Sequence, residues 1–170
     1  MLLALVILQC SHSKKISSNS NLTAQAIDST KFTYYFIEGC NERMKGNLEI
    51  AEKHFYTCLN INPKDPSVKY ELATIKKVNS EKELALKYSK ECAFADDKNE
   101  WYQLLYIDCL HAMNQFEQAA HVYSKLQKHN PYRVDFYEGM ANEYMYAHNY
   151  DKALHVYEDM ISKFGSNETF

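Results

Sequence analysis

One feature constrains this chain more than any other: small residues recur at a fixed interval. Ala51, Ala85, Ala119 and Ala153 follow one another every 34 residues. Four residues after each stand Phe55, Ser89, Tyr123 and Tyr157, and twelve after each stand Pro63, Asp97, Pro131 and Gly165. Twelve before each lie Gly39, Ala73, Ile107 and Ala141, and two before each lie Glu49, Glu83, Glu117 and Asp151. Self-similarity of this period marks stacked copies of one supersecondary unit, none of which can bury its apolar face alone.

The residue types say what the unit is. Only 4 Gly and 3 Pro stand among 170 residues, too few for the turns of a β-sandwich or barrel, so helices are expected. Each unit reads as two antiparallel helices, A and B. The small residue on A and the Ala on B let the two backbones approach, and the aromatic four positions on fills the space beside them. Pro63 and Pro131 end B helices. The acidic residue two before each Ala suits the positive end of a helix, and Gly46-Asn47 and His148-Asn149 suit A-to-B turns. The spacing predicts A helices at about 32–45, 66–79, 100–113 and 134–147, and B helices at 48–61, 82–95, 116–129 and 150–164.

An Ala followed four residues later by Phe or Tyr, with Pro twelve on, is similar to the tetratricopeptide repeat. The last copy matches most fully, with Tyr137, Met140, Ala141 and Tyr144 before Ala153 and Tyr157. The resemblance covers 32–164. It implies an all-α, right-handed superhelical solenoid of about four helix-turn-helix repeats, at 32–65, 66–99, 100–133 and 134–165. It also implies a concave groove lined from the A helices. Carried across, the lining is Thr33, Phe36, Cys40 and Arg43; Ser67, Tyr70, Thr74 and Lys77; Trp101, Leu104, Asp108 and His111; Asp135, Glu138, Asn142 and Met145. Arg43 and Lys77 make the first half basic, and Asp108, Asp135 and Glu138 make the second acidic, so a partner of opposite polarity is expected. Phe36, Tyr70 and Leu104 are equally readable as core. Some family members grip a C-terminal carboxylate with Lys and Asn in the first repeat; Phe36 and Cys40 stand there, so that clamp is not implied.

The expected function is therefore to bind a protein or peptide. A net charge of −3 argues against nucleic acid. No phosphate loop, nucleophile elbow or His-Glu-x2-His pattern occurs, and the seven His are scattered; neither catalysis, metal nor cofactor is expected. Cys40 and Cys58 are placed to pair across one hairpin in an oxidising compartment. The other reading leaves Cys40, Cys58, Cys92 and Cys109 as buried thiols in small core sites.

Residues 1–8 form an apolar run, too short to span a bilayer, and Gln9 and Cys10 follow, so that 1–10 reads as a signal segment ending at Cys10. A Ser-rich stretch follows. Together they resemble a bacterial lipoprotein signal, with Cys10 as the lipidated residue and 11–30 as a flexible polar linker. With the segments 32–39 and 99–105, the pattern resembles tetratricopeptide lipoproteins of Bacteroidota-type bacteria. That implies a lipid anchor in the outer membrane, facing the periplasm, with no other membrane contact. Asp28-Ser29-Thr30 resembles an O-glycosylation acceptor of the same bacteria. Residues 166–170 read as a tail continuing into a longer protein, and the uncapped last repeat as a surface for self-association. Other readings are the input or scaffold module of a larger signalling protein or enzyme, and a component of outer-membrane assembly or glycan uptake.

Overall fold

The computed structural model describes the backbone of residues 13–165 and the side-chain surroundings of residues 28–165. Cys10, the 1–10 segment and the 166–170 tail lie outside the described residues. Among the described residues the chain is all helical: α1 (Ser13–Met44), α2 (Leu48–Ile61), α3 (Pro66–Val78), α4 (Lys82–Ala95), α5 (Glu100–Ala112), α6 (Phe116–His129), α7 (Val134–Tyr146) and α8 (Tyr150–Phe164). It is a helical-repeat solenoid that divides into two compact units, Met1–Pro63 and Lys64–Phe170.

All four B helices begin and end where the repeat spacing puts them, and the A helices α3, α5 and α7 stop one residue short of it. The exception is α1. The stretch 11–30, expected to be a flexible linker, is helical from Ser13 onward and runs without a break into the first A helix. Polar composition does not by itself exclude a helix, and no Gly or Pro interrupts 13–38. Asp28, Ser29 and Thr30 are exposed, and Thr33 Oγ1 donates to Ser29 O at 3.0 Å within this extension.

A single turn geometry repeats with the helices. Gly46, Ser80, Asn114 and His148 all have positive φ, at 85°, 61°, 56° and 57°. Each donates its N–H to the carbonyl three residues back, and the next residue donates to the carbonyl five back, as in Ser80 N to Lys77 O (3.1 Å) and Glu81 N to Lys76 O (2.9 Å). This is the Schellman motif, which satisfies carbonyls that a helix end would otherwise strand. Gly46 enters the left-handed region without strain; Ser80 and His148 must be forced there by the hairpin. On the B-to-A side, Asp65 and Asn99 cap α3 and α5 by accepting backbone N–H groups of Val68 and of Trp101 and Tyr102.

In the first unit α1 packs on α2, with Ala51, Phe55 and Cys58 fully buried. A Cβ on Gly39 would meet Phe55 Cε1 at 2.7 Å, so the small residue makes room for the aromatic as the spacing implied. Phe36 lies 5.9 Å from Phe55, ring to ring. In the second unit each of α3–α8 packs on its sequence neighbours, and α3 also touches α5. Its core joins Cys92, Ile107, Leu110, Ala119, Leu126 and Phe136, with Tyr70, Leu104 and Tyr123 packed against it. A further cluster joins Tyr137, Ala141, Val156 and Met160. Ala73, Ala85, Ala119, Ala141 and Ala153 are all 2% exposed or less. Where Ser89 replaces the aromatic, Cys92 donates its thiol to Ser89 O at 3.1 Å and Cys109 takes up space alongside.

A second glycine contact is invisible to the spacing. A Cβ on Gly139, in α7, would meet Tyr123 Cε1, in α6, at 2.6 Å. Tyr123 is repeat-equivalent to Phe55, so the same aromatic position needs a glycine opposite it here as well, supplied by the following A helix. Gly139→Ala should therefore lose about 1–3 kcal/mol through overpacking. Ser80→Gly, which relieves a left-handed turn on the surface, should gain about 0.5–1 kcal/mol. Urea unfolding of both variants checks the pair; opposite signs are expected.

Candidate functional site

Among the expected groove residues, those of the second unit lie on α3, α5 and α7, at spacings that put each set on one helix face. Trp101 is 70% exposed. Asp108, Glu138, Asn142 and Met145 are also exposed. Tyr70 and Leu104 are half-buried and packed against the core, so they shape this face from beneath. Thr74 donates its hydroxyl to Tyr70 O at 3.0 Å, inside its own helix. Phe36, Cys40 and Arg43 belong to the first unit and are half-buried there, while Thr33 is exposed.

Side-chain pairs tie the A helices to one another. Between α3 and α5, Ser67 and Tyr102 hydroxyls lie 3.0 Å apart, the Tyr70 and Tyr102 rings 5.4 Å apart, and Lys77 Nζ donates to Asp108 at 2.8 Å. Between α5 and α7, Arg133 bridges Glu100 (3.2 Å) and Asp135 (2.7 Å) while lying over the Phe136 ring. Asp108 is what raises the Lys77 ammonium pKa, and Arg133 is what lowers that of Asp135. These pairs correct the expected charge split. Lys77 and Asp108 neutralise each other, and Asp135 is held by Arg133. Glu138 is left as an exposed carboxylate with no hydrogen bond or ion pair among the described residues. The exposed Lys77–Asp108 pair adds only about 0–1 kcal/mol, so its main effect is to fix position.

His111 is placed differently from the expectation. Its ring packs edge-on between Phe116 and Tyr146, at 5.2 and 4.9 Å, and Nδ1 lies 3.0 and 3.1 Å from the two Glu143 oxygens. Glu143 is a residue the sequence reading does not single out. It is 6% exposed, and its repeat-equivalents Ile75 and Cys109 are 0% and 2% exposed. A carboxylate therefore occupies a core position, and aligning the repeats one residue past the groove position would expose the anomaly. Burial pushes the Glu143 carboxyl pKa upward, and the His111 contact only partly opposes this.

The described cysteines Cys40, Cys58, Cys92 and Cys109 form no disulfide, so the expected Cys40–Cys58 bond is not made in this structure. Burial pushes the Cys92 thiol up to about 12 and raises that of Cys109. Among the described residues, no group of three or more His, Cys, Asp and Glu is placed to hold a metal ion, and no helix is long and apolar enough to cross a membrane.

The raised Glu143 pKa fixes a sign. A group whose folded pKa is elevated contributes stability below its ordinary range, and loses it as pH rises through the folded value. Glu143→Gln, which keeps the shape and drops the buried charge, should gain stability relative to wild type at about pH 8. At about pH 4, where the carboxyl is already protonated, the gain should shrink toward zero. Thermal unfolding at the two pH values reads this difference.

Several solved structures share this architecture. YrrB, described as a TPR (tetratricopeptide-repeat) protein with an unusual peptide-binding site, matches at TM-score 0.67 and 19% identity, over 89% of this chain and 82% of its own. MamA from Desulfovibrio magneticus RS-1 matches at TM-score 0.66 and 13% identity, over 78% and 75%. TTC0263, a thermophilic TPR protein in Thermus thermophilus, matches at TM-score 0.57 and 18% identity, over 77% and 73%. Identities this low show the fold alone, and the fold is the tetratricopeptide one. No protein-family model matches the sequence, and no curated protein matches it.

Proposed function

We propose that this chain is a protein-interaction scaffold whose α3–α5–α7 face binds a peptide or protein segment, and that lipid on Cys10 holds it at a bacterial envelope. The observation that carries the binding reading is Trp101. A large ring left 70% exposed on a rigid helix keeps most of its apolar surface available as an anchor for a partner. Met145 is exposed on α7 of the same unit, and Glu138 supplies a carboxylate unclaimed by its surroundings. The partner segment this face suits is basic, with an apolar side chain to cover Trp101. YrrB's described peptide-binding site supports a binding role for the fold. The anchor rests on the Cys10 pattern alone.

One experiment tests both halves. Crosslinked complexes are recovered from native cells carrying wild type, a Trp101→Ala/Glu138→Lys double variant, or Cys10→Ala. The double variant should lose its specific partner by about tenfold or more with helicity unchanged, and Cys10→Ala should leave the outer-membrane fraction. A partner retained by the double variant contradicts the binding face. A Cys10→Ala protein that fractionates as wild type contradicts the anchor.

A second reading, self-association, is favoured by α8. Tyr150, Leu154 and Ile161 are 58%, 58% and 48% exposed along one stripe. Leu154 is repeat-equivalent to Ala120, which the next hairpin buries completely. The expected outcome is a concentration-dependent dimer in sedimentation velocity that Leu154→Glu converts to monomer. A monomer at all concentrations removes this reading.

A further inference from the structure

The second unit carries a half-open concavity away from the A-helix face. It lies between the B helices α4 and α6, is floored by α5, and has a volume of about 690 Å³, in the range that takes a large side chain and its flanking backbone. Its apolar wall is Phe94, 69% exposed, set edge-on to Tyr106 at 6.2 Å, with Leu126 across from it. Beyond this edge contact, most of the Phe94 ring is left open at the mouth of the pocket.

The polar groups of the pocket are organised as well. Gln103, 8% exposed, donates Nε2 to Ala93 O at 2.7 Å. That bond fixes the amide, and its Oε1 accepts no hydrogen bond among the described residues, so a backbone N–H of a bound segment has an acceptor at the floor. On the rim, Lys90 and Lys125 face the opening, with Lys90 Nζ 5.7 Å from the Phe94 ring. The acids there are Asp97 and Glu117. Glu117 is already claimed by Asn149 Nδ2 at 3.0 Å and Lys152 Nζ at 3.2 Å, which hold its carboxyl pKa below the ordinary range. Two lysines therefore stand against one uncommitted aspartate. His121 and His129 complete the rim; His129 Nδ1 lies 3.0 Å from Lys125 O.

From this geometry we infer that the α4–α6 groove is a second docking site, for a short acidic peptide that inserts one aromatic or branched aliphatic side chain between Phe94 and Leu126. Its acidic neighbours reach Lys90 and Lys125, and its backbone meets Gln103. The site is separate from the A-helix face and of opposite charge preference, so one chain can hold a basic and an acidic segment together.

The test uses the full chain and a fluorescein-labelled pentapeptide blocked at both ends, one Phe between two pairs of Glu, with the Lys counterpart as control. Fluorescence anisotropy should show saturable binding of the Glu probe, weakened by salt and at least about tenfold stronger than the Lys probe. Phe94→Ala and Lys125→Glu should each reduce it about tenfold or more. Trp101→Ala should leave it unchanged. Lys125 is exposed, so Lys125→Glu should keep wild-type thermal unfolding; Phe94→Ala also loses the ring contact with Tyr106, so its binding is read at a temperature where circular dichroism shows it folded. Equal binding of the two probes, no saturable binding, or loss in Trp101→Ala with retention in Lys125→Glu each overturns the inference. Loss in Trp101→Ala would move the probe to the A-helix face and contradict the basic preference proposed there; the other outcomes concern the α4–α6 groove alone.

Discussion

Close approach of two helix backbones at a residue too small to keep them apart is the contact on which the rest of this structure depends. Ala51, Ala85, Ala119 and Ala153 are buried to 2% or less on the B helices. With their backbones that close, the aromatic side chains four residues on have to go somewhere. Gly39 opens space for Phe55, and Gly139 for Tyr123. The left-handed residue between each A and B helix then follows from geometry: the chain must reverse in a few residues while keeping the helix-end carbonyls satisfied. That requirement holds Ser80 and His148 in a backbone region that neither would choose.

Because the hairpins are fixed by their backs, the outward faces are free to vary, and they do. The A helices use their outer positions partly to lock onto one another, through Lys77–Asp108 and Arg133–Glu100. What remains, Trp101, Glu138, Asn142 and Met145, is exposed surface outside these pairs. The B helices leave a different surface, an apolar notch with a lysine rim. A surface displayed on a preorganised scaffold binds without the entropy cost of ordering itself, which is where repeat proteins gain their affinity.

Most of the fold is legible in the sequence because it is local and periodic. Each B helix announces itself by an acidic first turn and its Ala, followed four residues on by an aromatic in all but α4, and its observed limits follow. What is not legible depends on three dimensions. The extension of α1 escapes because Ser- and Asn-rich sequence reads as linker, although it lacks any residue that breaks a helix. The Lys77–Asp108 pair escapes a sum of charges over halves of the chain, because salt bridges form between neighbouring repeats about 31 to 35 residues apart. Glu143 sits at a core position beside the groove positions, where the repeat pattern directs no attention to charge. Gly139 lies outside the repeat signature, and only the path of the Tyr123 ring gives it meaning. The α4–α6 pocket draws on three helices, and no single-helix pattern points to it.

The central claim is that the exposed A-helix positions of the second unit, and not its folding core, meet the partner. The most direct measurement places a photo-crosslinking amino acid at position 101 in living cells and a second, as reference, at Val78, which is 63% exposed at the end of α3. A discrete crosslinked species at 101 that is absent at 78, and that is competed away by excess unlabelled chain, is the predicted result. Crosslinks of equal yield at both positions, or none at 101, would contradict the account.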